Sequence, residues 1–261
     1  MEAALWVAKT GLDAQQTRMT VIANNLANVN TTGFKRDRAT FEDLLYQNVK
    51  QGGAQTSADT AAPTGLLLGT GTRVVATEKL HAQGNIIQTQ NAFDVAISGE
   101  GFFQILQPDG TLAYSRDGGF KISAEGVLVN SSGYRLQPEL AIPQNAQTVT
   151  IGADGTVSIQ TFGEAAAQTI GQIQVARFLN PSGLQASGDN LFRETSSSGP
   201  PQVGIPTQQG NGQLIQGALE SSNVNVVEEM VNMIETQRAY EVNSKAIDSV
   251  NSMLQYANNN L

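Results

Sequence analysis

Apolar residues step by alternating threes and fours at both ends of this chain, and the pattern gives way to a β rhythm between them. Leu5, Ala8, Leu12, Gln15, Met19, Ile22, Leu26 and Val29 hold the spacing at the amino end, and all but Gln15 are apolar. At the carboxyl end Val226, Met230, Met233, Gln237, Tyr240, Ser244, Ile247, Asn251, Leu254, Asn258 and Leu261 repeat it. Val227, Val231, Ile234, Val242, Ala246, Val250 and Met253 widen that second stripe. Such a repeat is the seam of a coiled-coil helix. Neither helix can bury its stripe alone, so the two ends of the chain have to meet. From Gln237 onward one seam position per heptad is polar, which lowers stability and favours one register. Asn223 or Asn225 can cap the second helix, and Glu228 and Glu229 suit its positive amino end.

The middle reads as strands. Phe93–Ser98 alternates apolar and polar residues, as does the neighbourhood of Phe103 and Ile105. Turn signals recur at Gly99-Glu-Gly101, Pro108-Asp-Gly110, Asp117-Gly-Gly119, Glu125-Gly126 and Ser131-Ser-Gly133. Further strands are expected at Thr148–Ile151, Thr156–Gln160 and Gln172–Phe178, and Thr195–Gly212 reads as a polar, Pro- and Gly-rich return. Gln47–Gly71 fits neither class: it is a flexible linker, or an extended arm that orders against a neighbouring subunit. The expected fold is therefore α+β. Residues 1–35 and 220–261 form a discontinuous helical coiled-coil domain, 36–76 an arm or linker, and 77–219 an all-β domain of short hairpins.

Ala23–Lys35 is the most unusual stretch. Asn24, Asn25, Asn28 and Asn30 crowd seven positions, where Asn competes with the helix by bonding nearby backbone groups. Leu26 and Val29 nevertheless keep the helical spacing, so the stretch reads as a helix end, with Gly33 as its stop and Phe34 the apolar residue beyond it.

Composition narrows the function. The net charge is −8 and the Lys and Arg residues are scattered, which excludes nucleic acid as a partner. There is no cysteine for a disulfide, a thiolate or a Cys-based metal site. No apolar run is long enough for a transmembrane segment, and Glu2 stands where a cleaved signal peptide would be basic. His81 is the only histidine and reads as surface or satisfied structure. Asp94, Glu100 and Asp117 lie beside glycines, where carboxylates form turns more often than acid–base pairs. Trp6 reads as packed at an interface or in a core. No catalytic constellation, cofactor site or metal site emerges, so an enzyme is not expected.

Two assemblies satisfy the end helices. In one, the exposed face of the helix pair recruits the same pair from other copies, and contacts that do not close into a ring build a helical filament. In the other, a monomer packs both helices onto its own β domain.

Residue-level resemblance separates them. Ala23–Lys35 resembles the amino-terminal signature of bacterial flagellar rod and hook proteins, the axial family. Leu5–Gln16, Phe41–Gln47, Glu220–Ile234 and Gln237–Glu241 are similar to the members at the distal end of the rod, whereas Ile142–Val203 matches only in general character. The resemblance implies a structural subunit of a rigid, hollow drive shaft that carries motor torque to the hook. It implies an open helical homo-oligomer with the helices around an export channel and the β domain outside. The implied partners are proximal rod proteins, the hook protein, the P and L bushing rings, a rod cap and the flagellar type III export apparatus, in a basal body spanning the periplasm. Subunit-interface residues are then Leu5, Trp6, Leu12, Met19, Ile22, Asn24, Asn25, Asn28, Gly33, Phe34, Met230, Ile234, Tyr240, Ile247 and Leu254. Two other readings are a proximal rod or hook-type subunit, and a secreted β-domain enzyme or carbohydrate-binding protein with helical ends.

Overall fold

The computed structural model describes residues 2–53, 55–57, 60–61, 64–162 and 166–259. It divides into two compact units. One comprises Met1–Leu26, Asp37–Glu78 and Asn225–Leu261, and the other Ala27–Arg36 and Lys79–Val224.

The first unit carries the helices. Helix α1 spans Glu2–Ala27 and α2 spans Val226–Asn259. Asn225 caps α2, its Oδ1 accepting from Val227 N at 3.1 Å and Glu228 N at 3.4 Å. The helices come close at Gly11, where a Cβ would lie 3.2 Å from Asn243 Nδ2. Helix α1 ends at Ala27, well before Gly33. The reason lies in Asn25. Its amide donates to Asp37 O at 2.9 Å and accepts from Asp37 N at 2.8 Å, so the side chain pairs with the returning chain as a neighbouring strand would. Asp37–Asp43 then pairs with Thr72–Lys79.

From that ladder rises a second hairpin. Tyr46–Lys50 pairs with Leu66–Gly69 in antiparallel register, interrupted between Asn48 and Lys50. Its base is tied by Leu44 N donating to Gly71 O at 2.9 Å and Thr70 Oγ1 donating to Leu45 O at 2.6 Å. The stretch read as an arm or linker thus holds paired strands. Ala54, Ala58, Asp59, Ala62 and Pro63, within that stretch, lie outside the described residues, as do Asn260 and Leu261.

The second unit is β. Phe102–Leu106 is buried on both faces and therefore central, flanked by Leu112–Ser115 and Arg135–Gln137 in a nine-stranded sheet. Val95, Ile97, Phe103, Ile105, Phe120, Leu128, Leu136, Ile173 and Leu214 pack the main core. A smaller aromatic cluster joins Phe102, Tyr114, Phe178 and Phe192, with Tyr114 and Phe178 edge to face at 4.7 Å. The strands expected at Thr148–Ile151 and Thr156–Gln160 lie within Ala146–Ile151 and Thr156–Thr161. The run Gln172–Phe178 is not one strand. Gln168–Gln172 pairs with Thr156–Thr161, and Val175–Arg177 pairs with Phe102 and Phe103 in the larger sheet. The second edge of Val175–Arg177 also needs a partner, and Gln202–Gly204 supplies it from inside the polar return.

Candidate assembly surface

A line of side chains along α2 is covered. Glu229 and Thr236 are buried, and Asn243 and Val250, each a heptad further on, are half-buried. Met233, Ile247 and Leu254 are half-buried as well, and the remaining large apolar side chains are bare: Val226, Val227, Met230, Val231, Ile234, Tyr240, Val242, Met253 and Tyr256 are exposed, Val227 by 70%. At 100° per residue these positions sweep roughly 220° of the helix circumference, more than one packed neighbour covers. Charged Glu235, Arg238, Glu241, Lys245 and Asp248 share the sweep further along, so the continuous apolar patch is the one at Val226, Val227, Met230, Val231 and Ile234, and such a patch marks an interaction site.

Helix α1 is the complement. Every position of its seam is covered, Ile22 fully and Leu5, Ala8, Leu12, Gln15, Met19 and Leu26 in part. Trp6 is exposed, with Lys9 Nζ 5.6 Å above its ring. On α2, Met230, Ile234 and Tyr240 are exposed, whereas Ile247 and Leu254 are half-buried. The hairpin of the first unit bares a second apolar surface at Leu45, Tyr46, Val49, Leu66, Leu67 and Leu68, with Leu45 exposed by 89%.

The asparagine-rich stretch turns inward only in part: Asn25 is buried and Asn28 half-buried, while Asn24 is exposed. Asn24 Nδ2 donates to Asp37 Oδ2 at 3.2 Å, and Asn28 Oδ1 accepts from Thr31 Oγ1 at 3.2 Å. Phe34 is buried beneath Lys79, whose Nζ stands 4.8 Å over the ring. Gly33 has a φ of +69°, and a Cβ there would lie 2.7 Å from Asp117 N, so the position admits glycine alone.

Next to Gly33 lies a buried ionic cluster that the sequence does not announce. Lys35 and Glu220 are each 1% exposed and their side chains meet at 2.6 Å. Glu220 Oε1 also accepts from Gly84 N at 2.8 Å. Arg116 Nε lies 3.1 Å from Oε2, close enough for charge pairing but not aligned as a hydrogen bond. The guanidinium donates to Gly101 O and Gly99 O, both at 2.8 Å. Burial lowers the pKa of Lys35, and the Arg116 charge adds to that, while Glu220 opposes both. The three residues are separated widely in sequence, so no local pattern links them.

Of the carboxylates weighed for catalysis, Asp94 and Asp117 are engaged structurally, and Glu100 is exposed, 3.9 Å from Arg177 Nε. Asp94 accepts from Thr89 Oγ1 at 2.7 Å and Asn91 Nδ2 at 2.8 Å, and Asp117 Oδ1 accepts from Gly119 N at 3.1 Å. His81 lies edge-on to Phe102 and Phe192, each at 5.5 Å, and lines a cavity of about 440 Å³ with Arg116, Arg177 and Phe178. Burial, then the charges of Lys35, Arg116 and Lys79, push its pKa down to about 4. Among the described residues no group of three or more His, Asp or Glu gathers to hold a metal. Among the described residues no helix is long and apolar enough to cross a membrane.

Comparison with known proteins gives a consistent result along the chain. Residues 5–35 match the family described as flagella basal body rod protein. Residues 96–159 match the flagellar hook protein FlgE/F/G D1 domain, and 215–260 the flagellar basal body rod FlgEFG protein C-terminal region. The flagellar basal-body rod protein FlgG of Buchnera aphidicola subsp. Schizaphis graminum is 54% identical over 97% of this chain and 97% of its own. FlgG of Borreliella burgdorferi is 49% identical over 99% and 98%. A flagellar basal-body rod protein FlgF, from Caulobacter vibrioides, is 35% identical over 95% and 94%.

Proposed function

The chain belongs to the family of flagellar basal-body rod proteins, and from that membership we propose that it is the repeating subunit of the distal rod, a stiff hollow shaft that carries torque to the hook. The family is structural rather than enzymatic, and its place is the flagellar basal body. The bare apolar surface of α2 is the observation that carries the reading. Helices α1 and α2 pair as a coiled coil through the approach at Gly11 and Asn243. Met230, Ile234 and Tyr240 then meet helices of neighbouring copies, and an open helical tube results because the contact is heterologous and does not close. The exposed leucines of the hairpin extend these contacts between copies. Proximal rod proteins and the hook protein adjoin the two ends of the tube. The P and L rings surround it, and a rod cap and the type III export apparatus serve its growth.

Electron microscopy of basal bodies from a strain lacking the gene tests this. A truncated rod without outer rings or hook is the expected result. A full-length ringed rod missing only the hook would make the chain a hook-type subunit, and intact flagella would overturn the assignment.

A further inference from the structure

Glu220 gathers the chain that leaves α1 and the chain that leads into α2. Its backbone oxygen accepts from Gly33 N at 2.8 Å, in the turn that leaves α1. Its side chain takes Lys35 from that same turn and Gly84 N from the strand-flanking segment 79–85. Three residues on, Asn223 Oδ1 accepts from Arg36 N at 2.7 Å, and its Nδ2 donates to Leu80 O at 2.8 Å and Ala82 O at 2.9 Å. Lys35 Nζ also donates to Ala82 O at 2.9 Å, and Asn190 Nδ2 holds Thr32 O at 3.0 Å from the other side. All of these residues belong to the β unit. The exit from α1 and the entry to α2 are thus fastened to one segment of that unit, although Arg36 and Asn223 are 187 residues apart.

Two buried cations against one buried carboxylate are a poor way to gain stability, since apolar side chains of similar size commonly do better. Buried polar groups that must all be satisfied do specify one arrangement of the chains that carry them. We propose that Lys35, Glu220 and Arg116 form a latch that keeps the roots of α1 and α2 side by side within the β unit, so that both helices start from adjacent anchor points when the tube assembles. Joining the roots in advance removes the entropy of closing the long intervening loop from the assembly step. Lys35, Glu220 and Arg116 are positioning residues in this scheme, and the role rests on the reading that α1 and α2 pair in the assembled tube.

Hydrogen exchange on the soluble full-length chain, read beside its polymerisation, tests the latch. In Glu220→Gln, amides of residues 28–36 and 220–224 should exchange at least tenfold faster, while those of Phe102–Leu106 keep their wild-type rates. The concentration needed for polymerisation should rise at least tenfold. Asn223→Ala, which leaves the ion pairs intact, should give the same local pattern more weakly. Lys35→Met should be milder than Glu220→Gln, because it leaves one cation facing one carboxylate. Equal acceleration throughout the β unit in every variant would make the cluster ordinary core and overturn the latch. Unchanged exchange at 28–36 would also overturn it, as would an opened junction that polymerises at the wild-type concentration. A wild-type chain that never polymerised would count against the tube, leaving the exchange rates to judge the latch alone.

Discussion

Gly33 is set by what stands opposite it. The sequence marks it as a stop, and the structure finds it six residues past the end of α1, facing the backbone of Arg116 and Asp117. That long-range neighbour has no local signature, so the need for glycine was legible and its reason was not. Gly33→Ala adds left-handed strain to a backbone clash and should cost about 2–3 kcal/mol, read as a lowered urea midpoint. His81 carries a second test. Its folded pKa of about 4 lies below the unfolded 6.5, so the neutral ring is the form that folds. Its contribution is complete above pH 6.5 and declines as the pH falls from 6.5 to 4, by up to about 3 kcal/mol. His81→Phe keeps the edge-to-face packing and removes the proton site. Melting temperatures between pH 7 and 4 should fall less steeply in that variant, and equal slopes would assign the acid sensitivity elsewhere.

Elements were legible where their period was long and unbroken. Helix α1 shows this best, since each of its seam positions is at least half-buried, although Ala14 and Asn25 beside the seam are buried more deeply than most of it. In α2 the stripe is too wide to say which edge faces inward, and the covered arc takes in Met233, Ile247 and Leu254 from the stripe together with Glu229 and Thr236, which no hydrophobicity pattern would select. The hairpin at Tyr46–Gly69 was hidden for other reasons. Its strands are short, the register breaks between Asn48 and Lys50, and its leucines are exposed instead of alternating with a core. Its base is fixed independently of its tip. Gly71, with φ +116°, packs where a Cβ would come within 2.1 Å of Thr10 Oγ1 on α1. Deleting residues 51–66 would keep the Tyr46–Gly69, Gln47–Leu68 and Asn48–Leu67 pairs, with Val49 and Lys50 as a two-residue connection. The shortened chain should fold and still assemble, but into a shaft that bends, because it loses Leu66 and the outer length of the hairpin from the surface proposed to bridge neighbouring copies. Straight polymers under the electron microscope would refute that role.

At the scale of the whole molecule, the two units answer to different requirements. The β unit closes a core of its own around Phe103, Ile105 and Leu136, while α2 leaves a broad apolar surface bare. A substitution at an exposed α2 position therefore separates assembly from folding. Ile234 is 49% exposed in the single subunit, so Ile234→Asp removes little that the isolated chain has buried. In the tube the same side chain meets a neighbour. Its burial is worth about 1.5–3 kcal/mol, and an unpaired carboxylate there adds a desolvation cost. The concentration for polymerisation should rise by more than a factor of about 10, since 1.4 kcal/mol is already tenfold. The melting temperature of the soluble chain should stay within a few degrees of the wild type. Glu235→Asp, which keeps a carboxylate at a neighbouring exposed position, is the control and should assemble normally. Polymer from Ile234→Asp at the wild-type concentration would mean that α2 meets its neighbours along another face. A collapse in melting temperature would mean instead that α2 already depends on Ile234 before any copy joins it.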